Sequence, residues 1–314
     1  MSYSNIQLDS KFEVVINNHD DQENDFIFNL DLYSDKYLKR KKIKFQLVRN
    51  SDKRVFGTIV FYPEGDSIYS PIKATFGSFN INNKLSYEIQ KFYIDSVISH
   101  LKKKYSKIII ITPPPIYAKN SSEILNFLFL NNFIIKKIDL DYYFDLKEID
   151  FIGNLNYGSR QNYKQMDEKN FNLSINDLSL LESSFNIINE NKLSKDRKST
   201  ISLSNLKSLF KYFPEKYYLF SIQHDDEIVC ASIVVSICSK VAYLYSWANN
   251  DKYKSISPST YLTNQMIIYF FENNYDYLDM GIATELGIPN FGLMNFKRKL
   301  GSKTTTKFTL EYEA

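Results

Sequence analysis

The stretch YDYLDMGIATELGIPNFGLMNFKRKLGSK, from Tyr275 to Lys303, decides the fold. It begins with a short apolar and aromatic run that closes at Gly281. From Asn290 to Leu300, apolar side chains alternate with Lys and Arg at helical spacing. Pro289 stands where a helix can begin, and Gly301 stands where one would end. The stretch therefore predicts a strand, a loop and a helix.

A second unit of the same kind lies directly upstream. The strand VAYLYSWANN runs from Val241 to Asn250, a loop rich in Ser and Lys follows, and a helix opens at Pro258. Two further runs, Tyr217 to Asp225 and Glu227 to Ser239, are separated by a turn and predict a hairpin before it. Repeated units of strand, polar loop and helix are typical of an α/β protein.

Length and composition indicate an ordered protein with a substantial core. The chain has 314 residues, which leaves room for two domains. Hydrophobic residues make up 44% and aromatic residues 16%, while Gly and Pro are few, so little linker is expected. The net charge of +3 is too small to indicate a nucleic-acid surface. An anionic small ligand remains compatible with it.

Membrane, disulfide and metal signals are weak. No apolar run reaches the roughly 18 residues that a membrane span needs. The polar, acidic N-terminus lacks the basic start and apolar middle of a signal peptide, so we expect a soluble, cytoplasmic protein. Cys230 and Cys238 lie eight residues apart on one predicted hairpin, which argues against a disulfide between them, and no metal site is expected.

The first half of the chain shows a similar order. It has two strands, a helix, an apolar strand that we expect to be parallel and central, a second helix and a last strand. Their predicted ranges are Lys42 to Asn50, Arg54 to Glu64, Ser86 to Tyr105, Lys107 to Tyr117, Ser121 to Phe133 and Phe133 to Leu146. The segment Gly158 to Asn170 predicts a helical connector, and TTKFTLEYE near the C-terminus predicts a strand of the second half. The repeated order predicts an internal duplication with a boundary near residue 150.

Three stretches resemble the tandem GNAT acyltransferases, which include FemAB-like enzymes and sugar N-acyltransferases. They are SPIKATFGSF (Ser70 to Phe79), SRQNYKQ (Ser159 to Gln165) and GIPNFGLMNFKRKLG (Gly287 to Gly301). The resemblance spans nearly the whole chain and implies an α/β (α+β) protein of two GNAT-like domains, each a mixed, mostly antiparallel sheet flanked by helices. Residues 1–150 would shape the acceptor pocket, and residues 151–314 would form the connector and the domain that carries acyl-CoA.

The resemblance also implies the substrates. FemAB-like ligases use aminoacyl-tRNA, but the compact size, without an inserted coiled-coil arm, favours acyl-CoA as donor. The implied acceptor is a nucleotide-linked amino sugar for surface polysaccharide, such as a dTDP-3-amino-3,6-dideoxyhexose. An aminoacyl-tRNA ligase, which would need a larger basic surface, and a GNAT-like binding protein without catalysis stay open as alternatives. The oligomeric state is open as well.

The loop KYKSISPST, just before the helix at Pro258, is the predicted pyrophosphate site of coenzyme A. Free N–H groups and the positive dipole end of a helix N-terminus attract phosphate. The predicted residues are Lys252, Lys254, Ser255, Ser257, Ser259 and Thr260. GNAT proteins usually have a loop of the type Q/R-x-x-G-x-G/A here, and this chain has no glycine in it. An ordinary helix cap is the alternative.

In the resembled fold, the fourth and fifth strands of the catalytic half splay apart and pantetheine lies between them. Those strands would be Val241 to Asn250 and Tyr275 to Met280. The residues predicted to line the splay or to reach coenzyme A or the substrate are Tyr245, Ser246, Trp247, Asn290, Asn295 and Lys297. A core aromatic for Trp247 and a solvated helix face for Lys297 are the alternatives.

Acyl transfer to an amine needs a group that accepts the amine proton. The carboxylates predicted near the splay are Asp279 and Glu285, although a buried carboxylate such as Asp279 is often simply paired. His224 falls in a predicted hairpin turn, His100 in a helix, and His19 in a polar N-terminal stretch. No Ser-His-Asp or Cys-His arrangement and no metal-ligand cluster can be assembled by spacing.

The acceptor is predicted to bind at SPIKATFGSF, because small residues and hydroxyls allow a sugar or phosphate to approach the backbone closely. The predicted residues are Ser70, Thr75, Phe76, Gly77 and Ser78. A β-bulge or an edge strand is the alternative. Arg160 and Lys164, one helical turn apart on the connector, are predicted to hold the diphosphate of a nucleotide sugar, with a solvated basic face as the alternative.

Overall fold

A computed structural model describes residues 6–9, 11–17, 26–168, 171–194 and 201–314. The strands in chain order are β1 Ile6–Asp9, β2 Phe12–Ile16, β3 Ile43–Arg49, β4 Val55–Glu64, β5 Ser67–Ser70, β6 Asn80–Ile81, β7 Lys107–Ile111, β8 Ile134–Asp145, β9 Asn172–Ile175, β10 Tyr217–His224, β11 Glu227–Cys238, β12 Val241–Asn249, β13 Tyr277–Ile282, β14 Thr284–Glu285, β15 Ile288–Pro289 and β16 Lys303–Glu313.

The α-helices are α1 Tyr87–Lys102, α2 Ser121–Leu130, α3 Phe151–Asn154, α4 Tyr157–Glu168, α5 Leu181–Leu193, α6 Leu203–Tyr212, α7 Pro258–Glu272 and α8 Phe291–Lys299. Short 3₁₀ segments lie at Ile27–Asn29, Pro115–Tyr117, Leu178–Leu180 and Asp251–Ile256, and a π-helical turn spans Tyr33–Leu38. The predicted strands and helices are present with small shifts at their ends, except that β7 is six residues shorter than predicted.

The chain forms two compact units. The first contains Met1–Leu140, Glu285–Ile288 and Thr305–Ala314, and the second contains Asp141–Thr284 and Pro289–Thr304. Each unit has a mixed sheet flanked by helices, as two tandem GNAT-like domains require, so the predicted fold class is confirmed.

The sheet of the first unit has the order β1-β2-β3-β4-β5-β7-β16-β8. Strand β7 runs parallel to β5 but antiparallel to β16, so it is central, with a parallel partner on one side. It ends at Ile111, earlier than predicted, because the prolines that follow have no N–H group for a sheet ladder. The core beneath α1 and α2 includes Phe45, Leu47, Ile59, Phe79, Tyr93, Val97, Leu128 and Leu310.

The sheet of the second unit has the order β8-β13-β12-β11-β10-β9, in which residues 141–145 of β8 pair antiparallel with β13. Strands β9 to β12 form an antiparallel meander, whereas β12 and β13 run parallel. Helices α5 and α7 contact β11 and β12. The helix α6 and the strand β9 were not predicted, although Leu203, Leu206, Leu209 and Phe210 of α6 recur at helical spacing.

One strand lies elsewhere than the sequence indicated. Strand β16 was expected to complete the second half, but from Thr305 onward it belongs to the first unit, where it pairs with β7. Residues 141–145 at the end of β8 pair with β13 and belong to the sheet of the second unit. Apolar alternation marks a strand but does not identify its partner, because every pleated strand offers the same backbone hydrogen bonds.

Candidate functional site

In the second unit, β12 and β13 pair over a short distance only. The parallel register joins Val241 to Tyr277, Ala242 to Leu278 and Tyr243 to Asp279. Strand β12 continues to Asn249, paired with β11 on its other side. Past Tyr243 the edge of β12 therefore has no β13 partner, and the two strands splay as the resemblance implies.

The splay opens into a cleft of about 550 Å³. Its walls come from β12, the end of β13, α8, the end of α5 and the segment before α7. The lining residues are Asn191, Lys192, Tyr243, Leu244, Tyr245, Ser246, Trp247, Ala248, Asn249, Asp251, Lys254, Ser259, Met280, Gly281, Ile282, Leu293, Phe296 and Lys297. Along β12 the half-buried Tyr243, Tyr245, Trp247 and Asn249 alternate with buried residues, and a β-bulge against β11 lies between Leu244 and Ser246.

A local bend in β13 ends the pairing. The register against β8 shifts between Asp279 and Gly281, and Gly281 has a φ of +74°, a conformation that favours glycine. The Asp279 carboxylate accepts a hydrogen bond from the Gly281 N–H at 2.6 Å, which holds the bend. A side chain at position 281 would also lie 3.4 Å from the Tyr243 ring. The motif Asp-Met-Gly thus fixes where the strands separate.

The buried Lys297 of α8 braces the same bend. Its Nζ donates to the carbonyl oxygens of Met280, Gly281 and Ile282 at 2.8, 2.6 and 3.0 Å. The residue is only 2% exposed, so the solvated helix face considered from the sequence is wrong. Because Lys297 lines the cleft, it also places a positive charge at the end of the splay.

Helix α8 is set by its own cap. Asn290 accepts a hydrogen bond from the Leu293 N–H at 3.0 Å and acts as the N-cap. The cap does not line the cleft, and neither does Asn295, which is exposed and accepts from Arg298. Phe296 does line the cleft, and its ring lies 5.3 Å from that of Trp247.

The predicted pyrophosphate loop contributes Lys254 and Ser259 to the cleft lining. Lys252 does not line the cleft, because its Nζ pairs with the Glu227 carboxylate at 2.6 Å. Tyr253 donates to the same carboxylate at 2.9 Å. The Lys252 ammonium and the Tyr253 hydroxyl hold the pKa of Glu227 below its usual range.

The start of α7 offers few donors to a phosphate. Pro258, the first helical residue, has no N–H, and the Thr260 N–H donates to the Ser257 carbonyl at 2.9 Å. The Ser257 hydroxyl and the Ser255 carbonyl both accept from the Asn162 amide. Ser255, Ser257 and Thr260 thus serve the local fold and do not line the cleft.

Two groups on the cleft wall were not expected from the sequence. The Asn249 amide donates to the Ser259 hydroxyl at 3.3 Å, while its buried Oδ1 has no hydrogen-bond partner within the described parts of the chain. Lys192, at the end of α5, is half-buried, and burial lowers its pKa. Asn249 continues the alternation of β12, a signal that the sequence does carry. Lys192 stands in no motif.

The two predicted proton acceptors are not brought into the cleft lining. Asp279 is 1% exposed and its carboxylate bonds the strand bend, as described above. Glu285 is exposed and belongs to the first unit. Among the described residues that line the cleft, Asp251 is the one with a carboxylate side chain. Asp279 and Glu285 as general bases stay predictions from the sequence.

In the first unit, the predicted acceptor segment folds back over the end of the parallel pair β5 and β7. The Gly77 N–H donates to the Ile111 carbonyl at 2.9 Å, and the Ser78 N–H donates to the Ser70 hydroxyl at 3.1 Å. A Cβ on Gly77 would lie 2.4 Å from that hydroxyl and 2.6 Å from the Ser70 backbone, so only glycine fits. Phe76 is buried.

Internal hydrogen bonds and ring contacts dominate this segment. The Phe76 ring packs edge-on against those of Phe26, Phe28 and Tyr117. Thr75 accepts from the Lys307 ammonium through its carbonyl and its hydroxyl. In the first unit the segment therefore covers the end of β5 and β7, whereas in the second unit the equivalent pair β12 and β13 opens into the cleft.

The remaining predicted residues have local roles. The Arg160 guanidinium donates to the Leu155 and Gly153 carbonyls, while Lys164 is exposed. The His224 ring lies 4.8 Å from that of Phe171, and His100 packs against Phe45, where burial lowers its pKa. His19 lies outside the described residues.

The described residues contain no group of His, Cys, Asp and Glu side chains arranged to hold a metal ion. Over the same part of the chain, no helix combines the length and apolar character needed to cross a bilayer. Cys230 and Cys238 are free thiols, as predicted, and burial raises the pKa of both.

Two GNAT-like domains, with a splayed parallel strand pair in the second, define the class of fold. Among solved structures, FemX is similar over 93% of both chains, with 12% identity and a TM-score of 0.69. The C-terminal domain of a protein assigned as a lysylphosphatidylglycerol synthetase from Agrobacterium fabrum is similar over 82% of both chains, with 10% identity and a TM-score of 0.58. A tandem GNAT protein from the clavulanic acid biosynthesis pathway is similar over 87% of this chain and 83% of its own, with 10% identity and a TM-score of 0.50.

No protein-family model matches the chain, and no curated protein sequence matches it. The likeness therefore lies in the fold.

Proposed function

We propose that the protein transfers an acyl group from a carrier to an amine, and that the carrier arm lies in the cleft of the second unit. The observation that supports this most is the splay of β12 from β13, which leaves one strand edge open beside a cleft of about 550 Å³. An open edge presents backbone N–H and C=O groups at regular spacing, and an amide-containing arm such as pantetheine can pair with them.

The side chains of the wall suit such an arm. Tyr243, Tyr245 and Trp247 offer aromatic surface to the cleft, and the unpartnered Oδ1 of Asn249 can accept a hydrogen bond from an amide N–H. Lys297 places its positive charge where the strand edge ends. A fixed positive charge beside the acyl carbonyl stabilises the oxyanion that forms when the amine attacks.

The acceptor amine must give up a proton as the new amide forms. Lys192 and Asp251 line the cleft and can accept protons, and the pKa of Lys192 is lowered by burial. A lysine with a lowered pKa is partly neutral closer to physiological pH and then acts as a base. Asp279, which does not line the cleft, and Glu285 remain the general bases predicted from the sequence.

The donor we propose is acyl-CoA, and the acceptor is a nucleotide-linked amino sugar. Lys254 gives the rim of the cleft a positive charge for the phosphates of coenzyme A. Both substrates are cytoplasmic metabolites, so the proposal places the enzyme in the cytoplasm.

A second candidate is aminoacyl transfer from aminoacyl-tRNA. Two observations favour it. The fold is similar to that of FemX over 93% of both chains, and the start of α7 offers few free N–H groups for the pyrophosphate of coenzyme A. An ester-linked donor would not need them.

Trp247 provides the assay, because it is the single tryptophan of the chain and lies on the cleft wall. We would titrate its fluorescence with coenzyme A, with acetyl-CoA, and with aminoacyl-tRNA against deacylated tRNA. Product formation would then be followed with a dTDP-amino sugar as acceptor. A saturable response to coenzyme A supports the first candidate, and one restricted to aminoacyl-tRNA supports the second. A folded protein that responds to none of these ligands refutes acyl transfer in this cleft.

A matched pair of variants locates the response. Lys252 and Lys254 are both exposed and lie two residues apart, but only Lys254 lines the cleft. We expect Lys254→Ala to weaken coenzyme A binding by roughly 3- to 10-fold, as loss of one exposed phosphate contact does, and Lys252→Ala to leave it unchanged. Equal effects of the two variants would place the phosphates elsewhere.

A further inference from the structure

The first unit contains a cavity of its own, of about 260 Å³. All of its lining residues belong to that unit: Ser78, Thr112, Pro113, Pro115, Ala118, Ser121, Ser122, Ile124, Leu125, Thr306 and Phe308. Six of these side chains are apolar, five carry a hydroxyl group and none is charged. The cavity is thus an apolar space with neutral hydrogen-bonding groups on its wall.

One of these hydroxyls lacks a partner. Ser78 is fully buried, and its Oγ makes no hydrogen bond to any residue that the structure describes. Its backbone N–H donates to the Ser70 hydroxyl, and its φ of +88° is unusual for a residue other than glycine. A buried hydroxyl without a partner is costly, and a ligand that hydrogen-bonds to it removes that cost.

A helix also begins at this cavity. The first two residues of α2, Ser121 and Ser122, line it, and no side chain caps the helix. The N-cap residue Asn120 instead donates its amide to the Ile81 carbonyl and the Gln90 side chain. The Ser121 N–H donates to the Ala118 carbonyl at 3.2 Å, but the positive dipole end of this ten-residue helix still favours a negatively charged group beside it.

We propose that this cavity binds a small carboxylic acid with a short aliphatic body. The carboxylate would sit between the start of α2 and the Ser78 hydroxyl, and the aliphatic part would contact Pro113, Ile124 and Phe308. At about 30 Å³ for each water-sized group, the cavity holds roughly eight non-hydrogen atoms, the size of hexanoate. The site is separate from the cleft of the second unit and does not depend on the function proposed for that cleft.

The test is calorimetric titration of the full chain with hexanoate and with hexan-1-ol. We expect saturable binding of hexanoate, and binding of hexan-1-ol weaker by about 10-fold or more because it carries no charge. Absence of saturable hexanoate binding, or equal affinity for the acid and the alcohol, overturns the proposal.

Variants show whether the ligand occupies this cavity. Ser78→Ala removes the unpartnered hydroxyl and should weaken hexanoate binding by about 10-fold, the effect of one hydrogen bond to a charged group. Ser122→Glu places a negative charge in the first turn of α2, which helices tolerate well, and should weaken hexanoate by a similar factor without affecting hexan-1-ol.

Ser183→Glu is the matched control for Ser122→Glu, because Ser183 is exposed in the first turn of α5 in the second unit. It should leave hexanoate binding unchanged. If Ser78→Ala fails to fold, the comparison of Ser122→Glu with Ser183→Glu decides alone. Hexanoate binding that neither cavity variant alters overturns the proposal.

Discussion

Replacement of Lys297 by methionine tests whether this lysine braces the bend of β13. Methionine has a similar length but cannot donate, so the carbonyls of Met280, Gly281 and Ile282 would all lose their partner. An unsatisfied buried acceptor costs roughly 1–3 kcal/mol, so three of them cost on the order of 3–9 kcal/mol. Removing a buried charge offsets several kcal/mol of desolvation. We therefore expect the free energy of unfolding to fall by about 3 kcal/mol.

For a unit of this size, a loss of about 3 kcal/mol corresponds to a fall in Tm of roughly 6–12 °C. The assay is thermal and urea unfolding followed by the fluorescence of Trp247, whose ring lies 5.3 Å from that of Phe296, the residue before Lys297. This probe also reports local change, because loss of the brace should shift the tryptophan emission before global unfolding.

Lys299→Met is the control, since Lys299 lies on the same helix but is exposed. Its effect should stay within about 0.5 kcal/mol. If Lys297→Met unfolds at the same urea concentration as Lys299→Met, the three hydrogen bonds contribute nothing net, and the bend of β13 must be held by other contacts.

Three further predictions concern residues singled out from the sequence. Gly77→Val should lower the stability of the first unit by roughly 2 kcal/mol or more, because its Cβ would lie 2.6 Å from the β5 backbone. Gly158→Ala, whose Cβ would make only an ordinary contact of 3.7 Å with the Asn156 side chain, should change stability by less than about 0.5 kcal/mol. Equal melting of the two variants would contradict the steric reasoning. Asp279→Asn keeps the acceptor oxygen of the β13 bend but loses its charge, so we expect a stability loss of about 1–2 kcal/mol, with binding of the acyl donor retained. Loss of turnover in the stable variant would instead support the role of Asp279 as general base. The pKa of Glu227 is lowered chiefly by Lys252, so the Glu227 carboxylate contributes to stability above about pH 4.5, and this contribution is lost as the pH falls through the lowered value. The urea midpoints at pH 6 and pH 3 should therefore differ more for the wild type than for Glu227→Gln. Identical differences for the two proteins would refute the coupling.

The elements of the fold were largely readable from the sequence because they depend on local chemistry. Strand β13 and helix α8 follow from an apolar run, a glycine that ends it and apolar residues at helical spacing. Gly301 lies directly beyond α8 with a φ of +83°, the conformation in which helices commonly stop. The separation of β12 from β13 was expected from the resemblance, and Trp247 lines the cleft beside it.

The assignment of side chains to the site was less predictable. Asp279 lies at the end of an apolar strand, as expected, yet its carboxylate bonds the Gly281 N–H and does not line the cleft. Lys252 and Lys254 are indistinguishable in sequence, and the position of Glu227 decides which of them is paired. A carboxylate 25 residues away in the chain leaves no local signal.

The sequence by itself determined most of the strands and helices, because backbone conformation depends largely on residues within a few positions. The tertiary structure decided the partner of β16, the burial of Lys297 against three carbonyls and the presence of Lys192 on the cleft wall. Each of these contacts joins segments far apart in the chain. Their free energy comes from packing and hydrogen bonds that exist only once the sheets have formed, and the order of residues along the chain does not encode them locally.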